Sequence, residues 1–451
     1  MKHYDAIVIG FGKGGKTLTG AMAKMGMNTA IIEKSEMMYG GTCINVGCIP
    51  SKSLVTSAAE SALNPGAPFA EKAERYAAAI GEKRRVTGLL RGKNYSKLAD
   101  LPGVDVILGQ AAFLSPSSVS VKTSDGVLEL EADKIFINTG AEPIIKDIPG
   151  LAGNPRVYTS EALMDEEKLP ERLTLIGAGY IGMEFASMYT NFGSKVTVLQ
   201  DGDRFLPKED EDIAAAIHDI MEKRGVRFVT GAKIKALEGG TVVYEKDGAE
   251  ERLEGDAILL ATGRRANTAS LNCEAAGVAL TPRGAVQVDE YLRTTAPNIW
   301  AMGDVAGGLQ FTYVSLDDYR VVLSQLSGKG GRTTKNRGVV PYSVFMDTPL
   351  SRAGITERDA AEKGLPYRVL KMPAAAVPKA QVLRKTDGVL KAVVNTETGK
   401  ILGVSLLCAE SYEMINTVKL AMDMGADYTV LRDQIFTHPT MSEALNDLFA
   451  L

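Results

Sequence analysis

The chain is poor in the residues that build metal frameworks and disulfide scaffolds. It has four cysteines and three histidines in 451 residues. A structural zinc site wants about four Cys or His ligands in clustered groups. No second cluster accompanies the single cysteine pair, and Cys273 and Cys408 stand alone, a usage that suits a reducing compartment. Long apolar runs are missing too. Ala6 to Ile9 is too short for the core of a signal peptide, and nothing later nears the roughly 18 residues of a spanning helix. A soluble, cytoplasmic protein with no membrane partner is expected. Nor is there an excess of one charge: 51 Lys and Arg stand against 55 Asp and Glu, a net of −4. With a pI near 5.7 and no long basic run, no nucleic-acid partner is expected, and the sign of a substrate is left open. What remains is ordinary globular composition, 45% hydrophobic and 24% charged, in a length that predicts about three domains.

The one cysteine pair sits in Gly40-Gly41-Thr42-Cys43-Ile44-Asn45-Val46-Gly47-Cys48-Ile49-Pro50-Ser51-Lys52. Five residues inside an α-helix would separate the two cysteines by roughly 7.5 Å along its axis. A disulfide wants Cα atoms no more than about 6.8 Å apart, so a bridge here must span a loop or a distorted first turn. Pro50 suits a first helical turn and predicts that Cys48 lies near a helix N-terminus, where thiolate is favoured over thiol. Strained, accessible disulfides are the easily reduced ones, so the pair reads as redox-active. The competing readings are a structural bridge, which lacks a secretory context, and a zinc half-site, which lacks its second ligand cluster.

Tyr4 to Ile9 is a β-type run ending in Gly10-Phe11-Gly12-Lys13-Gly14-Gly15-Lys16-Thr17, where two phosphate-binding templates overlap. Gly10, Gly12 and Gly15 spell the dinucleotide fingerprint G-x-G-x-x-G. Gly10 with Gly15-Lys16-Thr17 spells the P-loop G-x-x-x-x-G-K-[ST]. Both cradle phosphate between a strand and a helix. The next strand separates them, because Asn28 to Ile32 ends in Glu33, a carboxylate where a dinucleotide site binds a ribose hydroxyl. No apolar strand ending in a magnesium-binding Asp follows, as a P-loop ATPase requires. The dinucleotide reading is taken, with Lys16 and Thr17 as ordinary first-turn helix residues. The pattern then repeats: the strand Leu173 to Ile176, Gly177-Ala178-Gly179-Tyr180-Ile181-Gly182, a helix to Phe192-Gly193, and the strand Lys195 to Leu199 ending at Gln200-Asp201. One fingerprint is weak evidence; two in strand–glycine–helix–strand context predict two dinucleotide sites. A neutral Gln200 neither bonds a ribose diol as a carboxylate would nor repels a 2′-phosphate, so NADH and NADPH both remain open. Arg204 and Lys208 read as exposed loop charges.

Elsewhere, Ser53 to about Ala99 predicts one or two helices interrupted near Asn64-Pro65-Gly66. Val104 to Leu108, Ser118 to Lys122, Lys134 to Asn138 (running into Thr139-Gly140-Ala141), Asp256 to Leu260 and Asn298 to Met302 read as strands. Beyond Gly328-Lys329-Gly330-Gly331, Val339 to Phe345, Gly388 to Asn395 and Leu402 to Leu407 alternate like antiparallel strands, and Ser411 to Met424 is an amphipathic helix. Of the histidines, only His438 sits in a turn stiffened by a following proline, with Glu443 five residues on. It reads either as a general acid–base oriented by Glu443 or as a satisfied loop histidine.

Together these residues resemble the flavin-dependent pyridine nucleotide–disulfide oxidoreductases, whose members include glutathione reductase, dihydrolipoyl dehydrogenase and mercuric reductase. The resemblance covers nearly the whole chain: the fingerprint at Gly10, the motif Gly40 to Lys52, Gly177 to Glu184, Thr262 to Arg264, Gly303-Asp304, and His438 to Glu443. It implies an α/β fold with two Rossmann-like dinucleotide-binding domains plus a C-terminal α+β dimerisation domain. The first part of the FAD domain would occupy 1–149, the NAD(P) domain 150–265, the FAD return segment 266–335 and the dimerisation domain 336–451. FAD would lie on Gly10, Gly12, Gly15, Glu33, Thr42, Lys52, Ala111, Gly140, Asp304 and Thr312. NADH or NADPH would lie on Gly177, Gly179, Ile181, Gln200 and Gly263. Cys48 would be the thiolate facing the flavin and Cys43 the exchanging thiol of a Cys43–Cys48 redox disulfide. Lys52 would pair with Glu184 near the flavin, and His438 and Glu443 would come from the partner subunit of a homodimer.

The runs Asn298 to Asp304, Gln310 to Arg320, Pro341 to Phe345 and Leu431 to Leu448 are most similar to a branch that reduces copper(II) in defence against reactive chlorine. The tail Asn446 to Leu451 carries no cysteine pair, unlike mercuric reductases and large thioredoxin reductases. The resemblance implies copper(II) or a related metal ion as acceptor, with dihydrolipoyl dehydrogenase, another small-disulfide reductase, or a redox sensor as alternatives. No resident metal site is implied, only transient copper contacts at Cys43 and Cys48. Met37 and Met38 read as packing residues rather than thioether ligands.

Overall fold

The computed structural model describes all residues, Met1–Leu451. Strand β1 (Lys2–Ile9) is fully buried over Ala6, Ile7, Val8 and Ile9, the continuous apolar run expected of a strand covered on both faces. It feeds helix α1 (Lys13–Lys24), which turns Leu18, Thr19 and Met22 inward at helical spacing. Then come β2 (Thr29–Glu33), the short helix α2 (Thr42–Asn45), α3 (Cys48–Ser61) and the 31-residue α4 (Phe69–Ala99). The strands β3 (Val104–Leu108), β4 (Gln110–Ser115), β5 (Ser118–Thr123) and β6 (Gly126–Ile137) follow. They assemble in the order β3-β2-β1-β6-β5-β4. The β3, β2, β1 and β6 pairings are parallel; β5 and β4 add an antiparallel meander. The strand Ile299–Ala301 joins β6 in parallel, Ile299 beside Ile135, bringing a distant segment back to the sheet. One compact unit therefore comprises Met1–Ser53, Ile80–Ile144 and Gly263–Arg337.

The other unit comprises Leu54–Ala79, Ile145–Thr262 and Gly338–Leu451. It holds a second, five-stranded parallel sheet in which Arg172–Ile176 lies between Lys195–Leu199 and Ala257–Leu260. It also holds a three-stranded antiparallel sheet over Lys233–Glu254. Near the C-terminus a five-stranded antiparallel sheet packs against the helix Ser411–Asp423, with Leu390, Leu406, Met414, Val418 and Leu448 in its core. Lys391, in that sheet, is buried but meets three carboxylates: Glu357 at 2.6 Å, Asp212 at 3.0 Å and Asp210 at 3.1 Å. An ammonium withdrawn from water requires that company.

The stretch Ser53 to Ala99 resolves into two helices whose break spans Asn64-Pro65-Gly66. The strands Lys233–Glu238, Ala249–Glu254 and Tyr367–Pro373 had no counterpart in the sequence reading. KIKALE and AEERLE carry charge at alternate or consecutive positions, so their apolar period is too weak to announce a strand. No helix is long and apolar enough to cross a membrane.

Candidate active site

The cysteine motif folds as two helices. Gly41 is the N-cap of α2, Val46 and Gly47 break the chain, and Cys48 is the first residue of α3. A single continuous helix, the geometry that would have held the sulfurs apart, is thereby avoided. Gly41 has φ +79°, and a Cβ there would lie 2.6 Å from the Gly12 Cα: the cysteine loop rests directly on the first glycine fingerprint. Gly41→Ala is therefore expected to destabilise the protein by about 2–4 kcal/mol, from left-handed strain plus a backbone clash. A denaturant melt reads this.

Both cysteines are thiols, Cys43 half-buried and Cys48 exposed. They are in hydrogen-bond contact, and this contact, with burial, pushes the Cys43 thiol well above its usual range. Thr312, first residue of the helix Thr312–Leu326, serves both sulfurs. Its Oγ1 lies 3.6 Å from Cys48 Sγ, and its hydrogen bond to Cys43 partly offsets the upward push. Next to it Tyr313, stacked on Phe311 with centroids 5.1 Å apart, has its phenol pushed up by burial and by charge at Cys48. Cys43 and Tyr313 are thus both pushed toward their protonated forms, while Cys48 stands at the head of α3.

The first fingerprint is tied to its surroundings by side chains. Gly10 N–H donates to Ile32 O at 2.8 Å and Phe11 N–H to Glu33 Oε2 at 3.0 Å; burial raises the Glu33 carboxyl above its ordinary value. Asn138, at the end of β6, accepts from Gly15 N–H at 2.8 Å and donates to Met302 O at 2.7 Å. Ser315 accepts from Gly14 N–H at 3.1 Å. Gly140 faces Thr42 Oγ1 across 3.8 Å from the position of an added Cβ, and Ala111 is buried in β4 opposite Val121. Asp304 has its carboxyl raised by burial, with Arg264 opposing and Asp318 adding to the rise. These residues fit a flavin dinucleotide.

The second fingerprint repeats two backbone contacts of the first. Gly177 N–H donates to Leu199 O at 2.8 Å, and Ala178 N–H donates to Gln200 Oε1 at 2.9 Å, the counterpart of Phe11 and Glu33. Gln200 Nε2 turns to Asp201 Oδ1 at 3.0 Å, and Lys146 pairs with Asp201 at 3.4 Å. Gly179 is the N-cap of the helix Tyr180–Phe192, and Ile181 is partly exposed there. Where the first fingerprint has the carboxylate Glu33, the second thus has the neutral amide Gln200. Gln200→Glu is expected to lower kcat/KM for NADPH about tenfold or more while sparing NADH, through repulsion of the 2′-phosphate. Parallel kinetics with the two donors check it. Gly263 belongs to the first unit and opens the short strand Arg264–Ala266, paired with Ala141–Pro143.

Lys52 donates to Ser51 Oγ at 3.3 Å in the first unit, and buried Glu184 accepts from Phe345 N–H at 2.9 Å in the second. In the second unit His438 Nδ1 lies 2.8 Å from Glu443 Oε2, with the His438 side chain 72% exposed. With Glu443 ionised, Nδ1 carries the hydrogen and Nε2 is left as a base. The contact with Glu443 is present, as both readings of His438 allow. Asn138 and Tyr313 carried no role in the sequence reading. Asn138 alone left a signal, a polar residue closing an apolar strand that leads into Thr139-Gly140.

Two dinucleotide folds, a vicinal thiol pair and a carboxylate-oriented histidine define a flavoprotein that reduces disulfides. The chain belongs to the pyridine nucleotide-disulphide oxidoreductases. The family model matches residues 4–318 and its dimerisation domain residues 340–449, and members of this family use FAD and NAD(P)H. A probable pyridine nucleotide-disulfide oxidoreductase of Escherichia coli, RclA, is 51% identical over the full length of both chains. A mercuric reductase of Bacillus cereus is 34% identical over 98% of this chain and 70% of its own. Among solved structures, the Cu(II) complex of the HOCl-induced flavoprotein disulfide reductase RclA superposes with a TM-score of 0.94, covering 100% of this chain and 99% of that one. A C43S mutant of that protein also forms a Cu(II) complex.

Proposed function

We propose that the chain is an FAD-dependent NAD(P)H oxidoreductase that passes electrons through Cys43 and Cys48 to copper(II) or a related metal ion under reactive-chlorine stress. The observation that carries this reading is the thiol pair gathered on Thr312, in a chain half identical to a flavoprotein known as a Cu(II) complex. FAD, held by the first fingerprint, Glu33, Asp304 and the Thr312 helix, supplies two-electron exchange between nicotinamide and sulfur.

The chain's own residues do the rest. Closing the Cys43–Cys48 disulfide releases two electrons and two protons. That reduces two copper(II) ions to copper(I), or one small disulfide to two thiols. Copper(I) is soft and suits thiolate, and Cys48 is the exposed member of the pair. Because Cys43 holds its proton tightly, it needs a base to react near neutral pH. His438 Nε2, oriented by Glu443 and contributed by the partner subunit of a homodimer, fills that need. Lys52, four residues beyond Cys48 and so on the same face of α3, extends positive charge toward the flavin side of the site.

The test compares NADH and NADPH oxidation by purified protein with copper(II), lipoamide and glutathione disulfide in parallel. Copper(II) is expected to be the best acceptor. Rapid, copper-independent lipoamide turnover would instead make the chain a dihydrolipoyl dehydrogenase.

A further inference from the structure

Lys16 stands where a P-loop lysine would stand, yet the mechanism above leaves it without a task. It is not a solvated first-turn lysine. Its Nζ donates to Gly40 O at 3.4 Å, three residues before Cys43, and to Asn94 Oδ1 on α4. Asn94 is itself held by Leu90 O at 2.7 Å. The ammonium therefore joins three elements, α1, α4 and the Gly40–Cys43 loop, within a unit where Gly41 already rests on Gly12. We propose that Lys16 is a positioning residue of the thiol site: it ties the cysteine loop to α1 and presents to Cys43 the positive charge that favours its ionised form.

The electrostatics around the pair run in the same direction. Lys16 is pulled down to about 8 by burial and then by the charges of Lys13 on α1 and Lys97 on α4, while Cys43 pushes the other way. Reciprocally, Lys16 is the cation that opposes the upward push on Cys43 from Cys48. Tyr313, on the Thr312 helix, faces Cys48 and stays protonated. Below about pH 8 Lys16 is charged and assists Cys43; as pH rises through that value the help fades.

This inference rests on Cys43 being the exchanging thiol, and its test reads the chemistry of Cys43 itself rather than turnover, so a failure of copper reduction leaves it standing. The reduced holoenzyme is alkylated with iodoacetamide between about pH 6 and 11. A bond forms between Cys43 Sγ and carbon, iodide leaves, and the Cys43 peptide is followed by mass spectrometry. Lys16→Met is expected to slow alkylation of Cys43 at neutral pH about three- to tenfold and to move its inflection upward. Lys16→Arg keeps the neutral rate and lowers the inflection relative to wild type, because its charge does not fade. Asn94→Ala, which removes an anchor but no charge, leaves the inflection in place. Flavin content and melting temperature are recorded for each variant. An unchanged rate and inflection in Lys16→Met, or equal shifts in Lys16→Met and Asn94→Ala, would overturn the proposal. Should Lys16→Met fail to yield holoenzyme, Lys16→Arg decides, and an inflection no lower than that of wild type overturns it.

Discussion

Cys43→Ser is expected to cut NAD(P)H-driven reduction of copper(II), and of any small disulfide, by at least about 10³-fold while leaving reduction of the flavin by NAD(P)H at its wild-type rate. The substitution keeps a group able to reach Thr312 and Cys48, so the site need not collapse. What it removes is the second sulfur, and with it the two-electron step between dithiol and disulfide. Metal binding and metal reduction separate here. The relative's C43S mutant still forms a Cu(II) complex, so this chain is expected to keep a copper contact in the variant and lose the electron delivery. Stopped-flow flavin absorbance gives the first half-reaction, and a copper(I) chelator gives the second.

His438→Ala should lower acceptor reduction about 10²- to 10⁴-fold, the range for removal of a positioned general base. The effect is large because Cys43 holds its proton well above the ordinary thiol range, owing to its hydrogen bond to Cys48 and its burial. Such a thiol is unreactive near neutral pH without a base. Glu443→Gln, which keeps a hydrogen bond to His438 Nδ1 at its present 2.8 Å but removes the charge, should cost less. The assignment of His438 to the partner subunit has its own readout. Hybrid dimers made from inactive Cys43→Ser and inactive His438→Ala chains contain one complete site only if Cys43 and His438 come from different chains. Recovery of activity on mixing is the expected outcome.

Much of the site was legible because its signals are local. A strand, three glycines, a helix and a second strand ending in Glu33 or Gln200 lie within about 30 residues of each other, and the structure pairs Phe11 with Glu33 and Ala178 with Gln200 in the same way. Cys48 at a helix start followed from Pro50. His438 with Glu443 followed from a short turn. The contacts that escaped are long in sequence. Lys16 meets Asn94 78 residues away, and Gly14 meets Ser315 301 residues away. A lysine after a glycine fingerprint is solvated by default, and nothing in its neighbourhood announces the partner that buries it. The antiparallel strands over Lys233–Glu254 were missed for another reason: their charged residues mask the alternation, and only pairing with Thr241–Lys246 makes them strands.

Electrons are expected to leave this protein through Cys43 and Cys48. The most direct measurement of this is an anaerobic single turnover: holoenzyme is reduced with one equivalent of NAD(P)H, its free thiols are counted by labelling, copper(II) is added, and thiols and copper(I) are counted again. Labels are expected on Cys43 and Cys48 before copper, to vanish after it, and to be matched by about two copper(I) per dithiol. Copper(I) formed at the wild-type rate with no change at either cysteine, or at that rate in Cys43→Ser, would contradict this route.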